Sequence, residues 1–236
     1  MSEPAGSSAP VATIESLRSR VATWVRETLI RSGELGFLGG MPVADQVDHA
    51  LGFVSVAESF LGRPPSAVVD LGTGGGIPGV VLSSLWPEGR VVLLDSSERR
   101  TEFLLSETTG SDRGLSDEAR LGSIEVVRSR AEDFGRTPEM RGQFDLVTAR
   151  SFGPPAVTAE CGAPLLALGG LLIVSEPPEL TEGVRWPSDG LDLLGLDAVA
   201  RVRVDDRFGY QVLVKAQPTP ERYPRRVGIP TKRPLF

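Results

Sequence analysis

The sequence contains one cysteine, Cys161, and one histidine, His49. A single cysteine excludes a disulfide scaffold and a cysteine-based zinc site. A single histidine argues against histidine-held metal and against a Ser-His-Asp hydrolase, so no metal is expected. Long apolar runs are missing too. The longest spans Ala163 to Val174 and is interrupted by Pro164, Gly169 and Gly170. A membrane-crossing helix needs ~20 residues, so no membrane role is expected. The opening MSEPAGSSAP has neither a basic start nor an apolar run, and no secretory signal is expected. What is present suffices for a core: 236 residues, 40% hydrophobic and 24% charged, describe one domain of generous size, or one domain plus a small appendage. The expectation is a cytoplasmic, metal-independent monomer.

The net charge is -6, which over the whole chain argues against a nucleic-acid partner. The charge is unevenly spread. From residue 215 onward Lys215, Arg222, Arg225, Arg226, Lys232 and Arg233 face one acid, Glu221, giving +5 against -11 for the rest. Such a basic strip on an acidic body could meet phosphate, or it could be an ordinary solvated tail.

Residues 1–12 are rich in Ser, Ala and Pro and read as disordered. Ile14, Leu17, Val21, Trp24, Val25 and Leu29 have helical spacing, which predicts one amphipathic helix stopped at Ser32-Gly33. Val47 through Leu61 predicts a second, stopped at Gly62. From Ser66 strands and helices alternate. The predicted strands are 67–71, 90–95, 124–127, 144–148 and 171–174. Helices are predicted over 78–86 and 98–108, a polar stretch over 110–122, and a closing antiparallel pair over 199–204 and 210–214. This order describes an α/β fold, a mainly parallel sheet with helices on both faces.

The most informative segment is DLGTGGGIPG at 70–79. Its glycines allow a tight turn and close approach of the backbone to a ligand. Gly74, Gly76 and Gly79 satisfy the Gly-x-Gly-x-x-Gly spacing of dinucleotide binders, a weak signal in a chain with 27 glycines. Asp70 stands at the strand end before the loop, where a pyrophosphate would be repelled. Pro78 removes an N–H donor that a phosphate would use. Both favour S-adenosylmethionine, whose ammonium and sulfonium groups are cationic. Asp95, ending the next strand, can accept both ribose hydroxyls of either cofactor class. A turn that holds no ligand is the remaining alternative.

These residues, with LLDSSERRTEFL at 93–104, SRAEDF at 129–134, FDLVTARSF at 144–152 and RYPRRVGIPTKRPLF at 222–236, resemble one family. It is the bacterial 16S rRNA guanine-N7 methyltransferase G family, formerly glucose-inhibited division protein B. The resemblance covers most of residues 47–236. It implies a class I S-adenosylmethionine-dependent methyltransferase, a Rossmann-like sheet closed by an antiparallel strand and carrying an N-terminal helical cap. The expected divisions are a disordered 1–12, a cap at 13–62, a cofactor-binding domain at 63–217 and a basic tail at 218–236. By matching position the family's cofactor contacts fall on Gly72, Ile77, Ala131, Glu132 and Arg150, with Asp95 as the ribose acid. They join Asp70, Gly74 and Gly76 from the glycine loop.

Three departures stand out. Leu35 to Gly39 replaces an Asn-Leu-Thr segment, and His49-Ala50-Leu51-Gly52-Phe53 lacks the Asp and Ser of His-x-Leu-Asp-Ser. Glu176-Pro177 replaces the Lys-Gly that ends the fifth strand. Glu176 puts a negative charge where RNA is expected, which keeps open a small-molecule or other RNA acceptor and a non-catalytic cofactor-binding paralogue. Guanine N7 has an in-plane lone pair and loses no proton on attack, so positioning can supply most of the rate without a base. Arg150 is the candidate catalytic residue, donating to guanine O6. Phe152 is a candidate stacking partner for an exposed or flipped base. The expected RNA or small-subunit contacts are Arg222, Arg225, Arg226, Lys232 and Arg233. Neither Cys161 nor His49 is given a catalytic role.

Overall fold

The structure is a computed structural model and describes residues 12–109, 124–179 and 183–236. The expected disorder of 1–12 and the polar stretch 110–122 fall almost wholly outside the described residues. The elements in chain order are α1 (Ile14–Arg18), α2 (Thr23–Glu34), α3 (Val43–Leu61), β1 (Ala67–Leu71), α4 (Gly79–Leu85), β2 (Arg90–Asp95) and α5 (Glu98–Thr109). They continue as β3 (Ile124–Arg128), α6 (Ala131–Arg136), β4 (Phe144–Ala149), α7 (Pro155–Gly162) and β5 (Leu166–Glu176). The chain closes with α8 (Ser188–Asp192), β6 (Leu196–Val204), β7 (Phe208–Lys215) and α9 (Ile229–Lys232).

The seven strands lie in the order β3-β2-β1-β4-β5-β7-β6. β1 to β5 are parallel, and β7 inserts antiparallel between β5 and β6. Side chains alternate across the pleat, so each strand feeds two cores. Val68, Val91, Leu93, Leu146 and Ile173 turn toward α1 to α4, while Val69, Val92, Leu94, Val147 and Leu172 turn toward α6, α7 and α8. Strands covered on both faces read as continuous apolar runs, which is why Val68-Val69 and Val91 to Leu94 are legible in the sequence.

The single helix expected over residues 14–33 is instead two. Thr13 caps α1 by accepting from the Ser16 N–H, and α1 ends at Arg18 with Ser19 as its C-cap. The chain extends at Ala22 before α2 begins. Ile14, Leu17, Val25 and Leu29 are buried all the same. Two short helices that keep their apolar sides inward satisfy the same spacing as one, so periodicity does not show the break. Gly33 also fails to stop the helix, which runs on to Glu34. β5 is longer than expected because its pairing with β4 shifts register between Phe144 and Leu146, and the strand continues through Gly169-Gly170.

In α3, Gly52 explains one departure from the family pattern. A Cβ there would lie 2.0 Å from the Tyr210 hydroxyl oxygen, so no side chain fits. That hydroxyl donates to the His49 carbonyl at 2.6 Å. The basic segment from residue 215 onward is not one loose strip. Lys215 ends β7, is buried, and donates to the Leu194 carbonyl at 2.6 Å. Tyr223, Pro224 and Pro230 are buried as well, so the tail packs back onto the domain.

Candidate functional site

The glycine loop rests on Asp70. Its side chain is fully enclosed, with Oδ2 accepting the Gly79 N–H at 2.9 Å and Oδ1 accepting the Thr148 hydroxyl at 3.0 Å. Burial pushes its carboxyl up to about 6, against the Thr73 hydroxyl, the Gly79 N–H, the Thr148 hydroxyl and the Arg150 charge, which favour ionisation. A Cβ at Gly79 would fall 2.2 Å from Leu93 Cδ2 and 2.9 Å from the Asp70 carboxylate. The protein's own carboxylate thus fills the place at the start of α4 where a pyrophosphate would lie. A dinucleotide would lose the Gly79 N–H as a donor.

Beyond the loop, an open cavity of about 260 Å³ runs along the carboxyl ends of four strands. Its lining includes Gly72 after β1, Asp95 and Ser96 at β2, Ser129 to Glu132 after β3, and Ser151-Phe152 after β4. Gly72 has φ +65, and a Cβ on it would lie 2.7 Å from the Phe152 ring, so glycine alone lets ring and loop meet. Asp95 accepts the Ser97 N–H at 2.8 Å and the Gly74 N–H at 2.9 Å, with Arg100 3.6 Å away. A carboxylate has about four acceptor positions, so this fixed group can still receive a pair of hydroxyls.

Of the expected site residues, Gly72, Asp95, Ala131 and Glu132 line this cavity. Asp70 lies beneath the loop, and Gly74 acts through its N–H on Asp95. Gly76 lies against Val80 and Leu104, and Ile77 is buried in the core under α1 to α4. Glu132 is buried and accepts the Gly228 N–H at 2.9 Å, which ties the tail to the cavity wall. Arg150 does not line the cavity. Strand alternation puts it on the same side as Thr148, and it donates to the Gln46 carbonyl oxygen Oε1 at 3.0 Å. Burial lowers its pKa, with Asp70 opposing.

His49 sits among the rings of Phe53, Phe208 and Tyr210. Burial, then the Arg150 charge, pushes its pKa down to about 3, so it is neutral. Cys161 borders the cavity, yet burial drives its thiol pKa well up and keeps it protonated. Sequence reasoning misses Ser96, Ser129, Arg130 and Thr231, which also line the cavity. Ser129 and Arg130 directly precede Ala131 and are within its reach. Thr231 carries no sequence signal, because only the folding back of α9 brings it there.

A second cavity, of about 300 Å³, opens beside the first and shares Ser151 and Phe152 with it. Glu176, at the end of β5, stands in its wall, but not as the bare negative charge expected. Its side chain is 2% exposed, paired with Arg185 Nε at 2.8 Å, and accepts the Trp186 indole N–H at 2.9 Å. The tail cations also need correcting. Arg225 is not available to a partner: it grips Glu160 through Nε at 2.9 Å and Nη2 at 2.7 Å. Arg222, Arg226, Lys232 and Arg233 are exposed. Among the described residues no cluster of His, Cys, Asp and Glu could hold a metal ion, and no helix is long and apolar enough to cross a membrane.

Comparison with known proteins gives a consistent picture. A family model described as rRNA small subunit methyltransferase G matches residues 46–177. The ribosomal RNA small subunit methyltransferase G of Syntrophomonas wolfei is 35% identical over 187 residues, 75% of this chain and 80% of that protein. The enzyme of the same name from Carboxydothermus hydrogenoformans is 38% identical over 172 residues, 71% and 70% of the two chains. Among solved structures, an O-methyltransferase from Bacillus cereus in complex with SAH superposes with a TM-score of 0.53. It is 17% identical, with 82% of this chain and 90% of that one covered. The 1,6-didemethyltoxoflavin-N1-methyltransferase of Burkholderia thailandensis gives a TM-score of 0.51 at 16% identity, covering 89% and 93%. Both likenesses bear on the fold.

Proposed function

Because the chain belongs to the rRNA small subunit methyltransferase G family, we propose that this S-adenosylmethionine-dependent methyltransferase modifies N7 of a guanine in 16S rRNA. The observation that carries this reading is the cavity across the carboxyl ends of β1 to β4, with the fixed Asp95 carboxylate in its wall. Ligands of open α/β sheets bind at that edge, and an acid at the end of the second strand suits a ribose diol. The donor set therefore fits the cofactor. Asp95 would hold the ribose, Ser129 to Glu132 would flank the base, and Gly72 with Phe152 would bound the end toward β4.

Bound there, the cofactor supplies an electrophilic methyl group on a sulfonium sulfur. The protein's part is to position the acceptor. Guanine N7 presents a lone pair and gives up no proton, so a neutral, enclosed His49 and a protonated Cys161 are no handicap. Asp70, Gly74, Gly76 and Ile77 act from below by shaping the loop. Arg150, tied to Gln46, fixes the end of β4 against α3. The helices over 13–62 brace the loop from one side: Ser32 donates to the Gly75 carbonyl at 2.9 Å. The tail over 218–236 closes the other side and offers Arg222, Arg226, Lys232 and Arg233 to RNA. One chain supplies the whole site, which supports action as a monomer, and a ribosomal substrate puts that action in the cytoplasm.

The test is incubation with methyl-labelled S-adenosylmethionine and small ribosomal subunits that lack the guanine-N7 mark, with photo-crosslinking of the cofactor alongside. Label at a guanine N7 of 16S rRNA is expected. Crosslinked cofactor with no labelled rRNA overturns the substrate, and no crosslink overturns the cofactor site.

A further inference from the structure

We infer that the second cavity receives the acceptor base, and that Arg185, held by Glu176, reads guanine there through O6. The inference rests on the proposed RNA guanine-N7 reading and deepens it. The cavity adjoins the cofactor cavity, with Ser151 and Phe152 forming the shared wall. Ser151 holds a positive φ of 54, uncommon for a residue other than glycine, at the point where the two spaces meet. A base in the second space therefore lies beside the cofactor space.

The lining combines apolar groups with a cation and its paired carboxylate. Phe152, Pro155 and Pro177 supply the apolar part of a mainly polar lining, and a purine face can stack on the Phe152 ring. Among the described residues Arg185 is the one cation in the lining, and its side chain is 40% exposed. Among the described residues its polar partner is Glu176, engaged through Nε. Among the described residues nothing engages the terminal N–H groups of the fork, and arginine can only donate. Guanine offers the O6 acceptor on its major-groove edge, whereas adenine offers an amino donor there, so the same arginine favours one purine and repels the other. Donation to O6 leaves the N7 lone pair free.

Glu176 is then a positioning residue. Its carboxylate accepts the Trp186 indole N–H through Oε1 and forms an ion pair with Arg185 through Oε2. The acid that replaces the family lysine thus brings its own cation with it, and a positive group still faces the acceptor.

The experiment measures steady-state methylation of unmarked small subunits by the full chain and by Arg185→Ala, Arg185→Lys and Glu176→Gln, with cofactor affinity and thermal midpoint for each. Arg185→Ala is expected to lower kcat/KM for subunits about ten- to a hundredfold, the discrimination a good arginine–guanine contact carries. Cofactor affinity should be unchanged, while the midpoint of Arg185→Ala should fall because the enclosed Glu176 carboxylate loses its cation. Arg185→Lys should recover part of the loss, and Glu176→Gln should give a smaller loss of the same kind. An Arg185→Ala enzyme with wild-type kcat/KM overturns the assignment while the guanine-N7 reading stands. So does a loss that follows cofactor affinity. A wild-type protein that binds cofactor and methylates no RNA overturns the proposed function and this inference with it.

Discussion

Glu160 on α7 is fully buried, and Arg225 of the C-terminal tail closes both of its oxygens with a two-pronged guanidinium grip and its own backbone N–H at 2.8 Å. The pair raises the pKa of Arg225 through that hydrogen bond, against partial burial. It fastens the tail so that Gly228 reaches Glu132 and Thr231 reaches the cavity wall.

Arg225→Ala leaves the Glu160 carboxylate enclosed without its cation. Breaking a buried pair in this way costs about 3 kcal/mol, the low end of the usual range because Arg225 is itself partly exposed. Thermal unfolding should show a midpoint several degrees lower, with cofactor affinity falling as the tail loosens. An unchanged midpoint would mean that the tail is not held by this pair.

Gly72→Ala tests the wall shared by loop and ring. The new methyl group needs a left-handed backbone, costing ~1 kcal/mol, and would lie 2.7 Å from Phe152. The ring must swing into one of the two cavities. Cofactor affinity should fall at least tenfold while the midpoint drops only a few degrees, as read by calorimetric titration and thermal unfolding. Wild-type affinity would show that Phe152 does not bound the cofactor space.

How much of this is legible in the sequence follows from the reach of each signal. β1, β2 and the loop between them are readable because apolar runs, glycines and a terminal acid are local features. Asp95 is readable for the same reason, as its place at a strand end needs no tertiary knowledge. Asp70 reads as facing the ligand, whereas it points under the loop to Thr148, a partner 78 residues away. Arg150 reads as a base donor because it ends a strand, but the pleat turns it toward Gln46. The charge of Glu176 cannot be judged without Arg185, since the loop between them has no pattern that predicts its return. Local chemistry is visible in the sequence, and pairing across the fold is not.

Removing the exposed tail charges should act on RNA alone. Replacing Arg222, Lys232 and Arg233 by Gln leaves the Arg225–Glu160 pair intact. Each phosphate that one of these side chains neutralises adds about 0.7 to 0.9 to the steepness of log affinity against log salt. Subunit binding by the variant, measured from low to high salt, is therefore expected to be weaker and less salt-dependent, with cofactor affinity constant. Equal slopes for variant and wild type would remove these side chains from the RNA interface.

Asp70 predicts a pH dependence of stability with a definite sign. Its carboxyl stands near 6 in the folded protein against an ordinary 3.8, chiefly through burial. Between about pH 4 and 6 the folded state therefore keeps a proton that the unfolded chain has released. The group's contribution to stability is greatest below pH 4, falls across that window and is flat above 6. A shift of about two units corresponds to ~3 kcal/mol. Asp70→Asn keeps an oxygen for the Gly79 N–H and has no charge to bury, so it should lack this fall. The stability of the variant relative to wild type should rise from pH 4 to 6 and then level off, in denaturant titrations at fixed ionic strength. A difference that stays constant across the window would show that the folded carboxyl is not raised, and that its charge is already compensated by Arg150 and the two threonine hydroxyls.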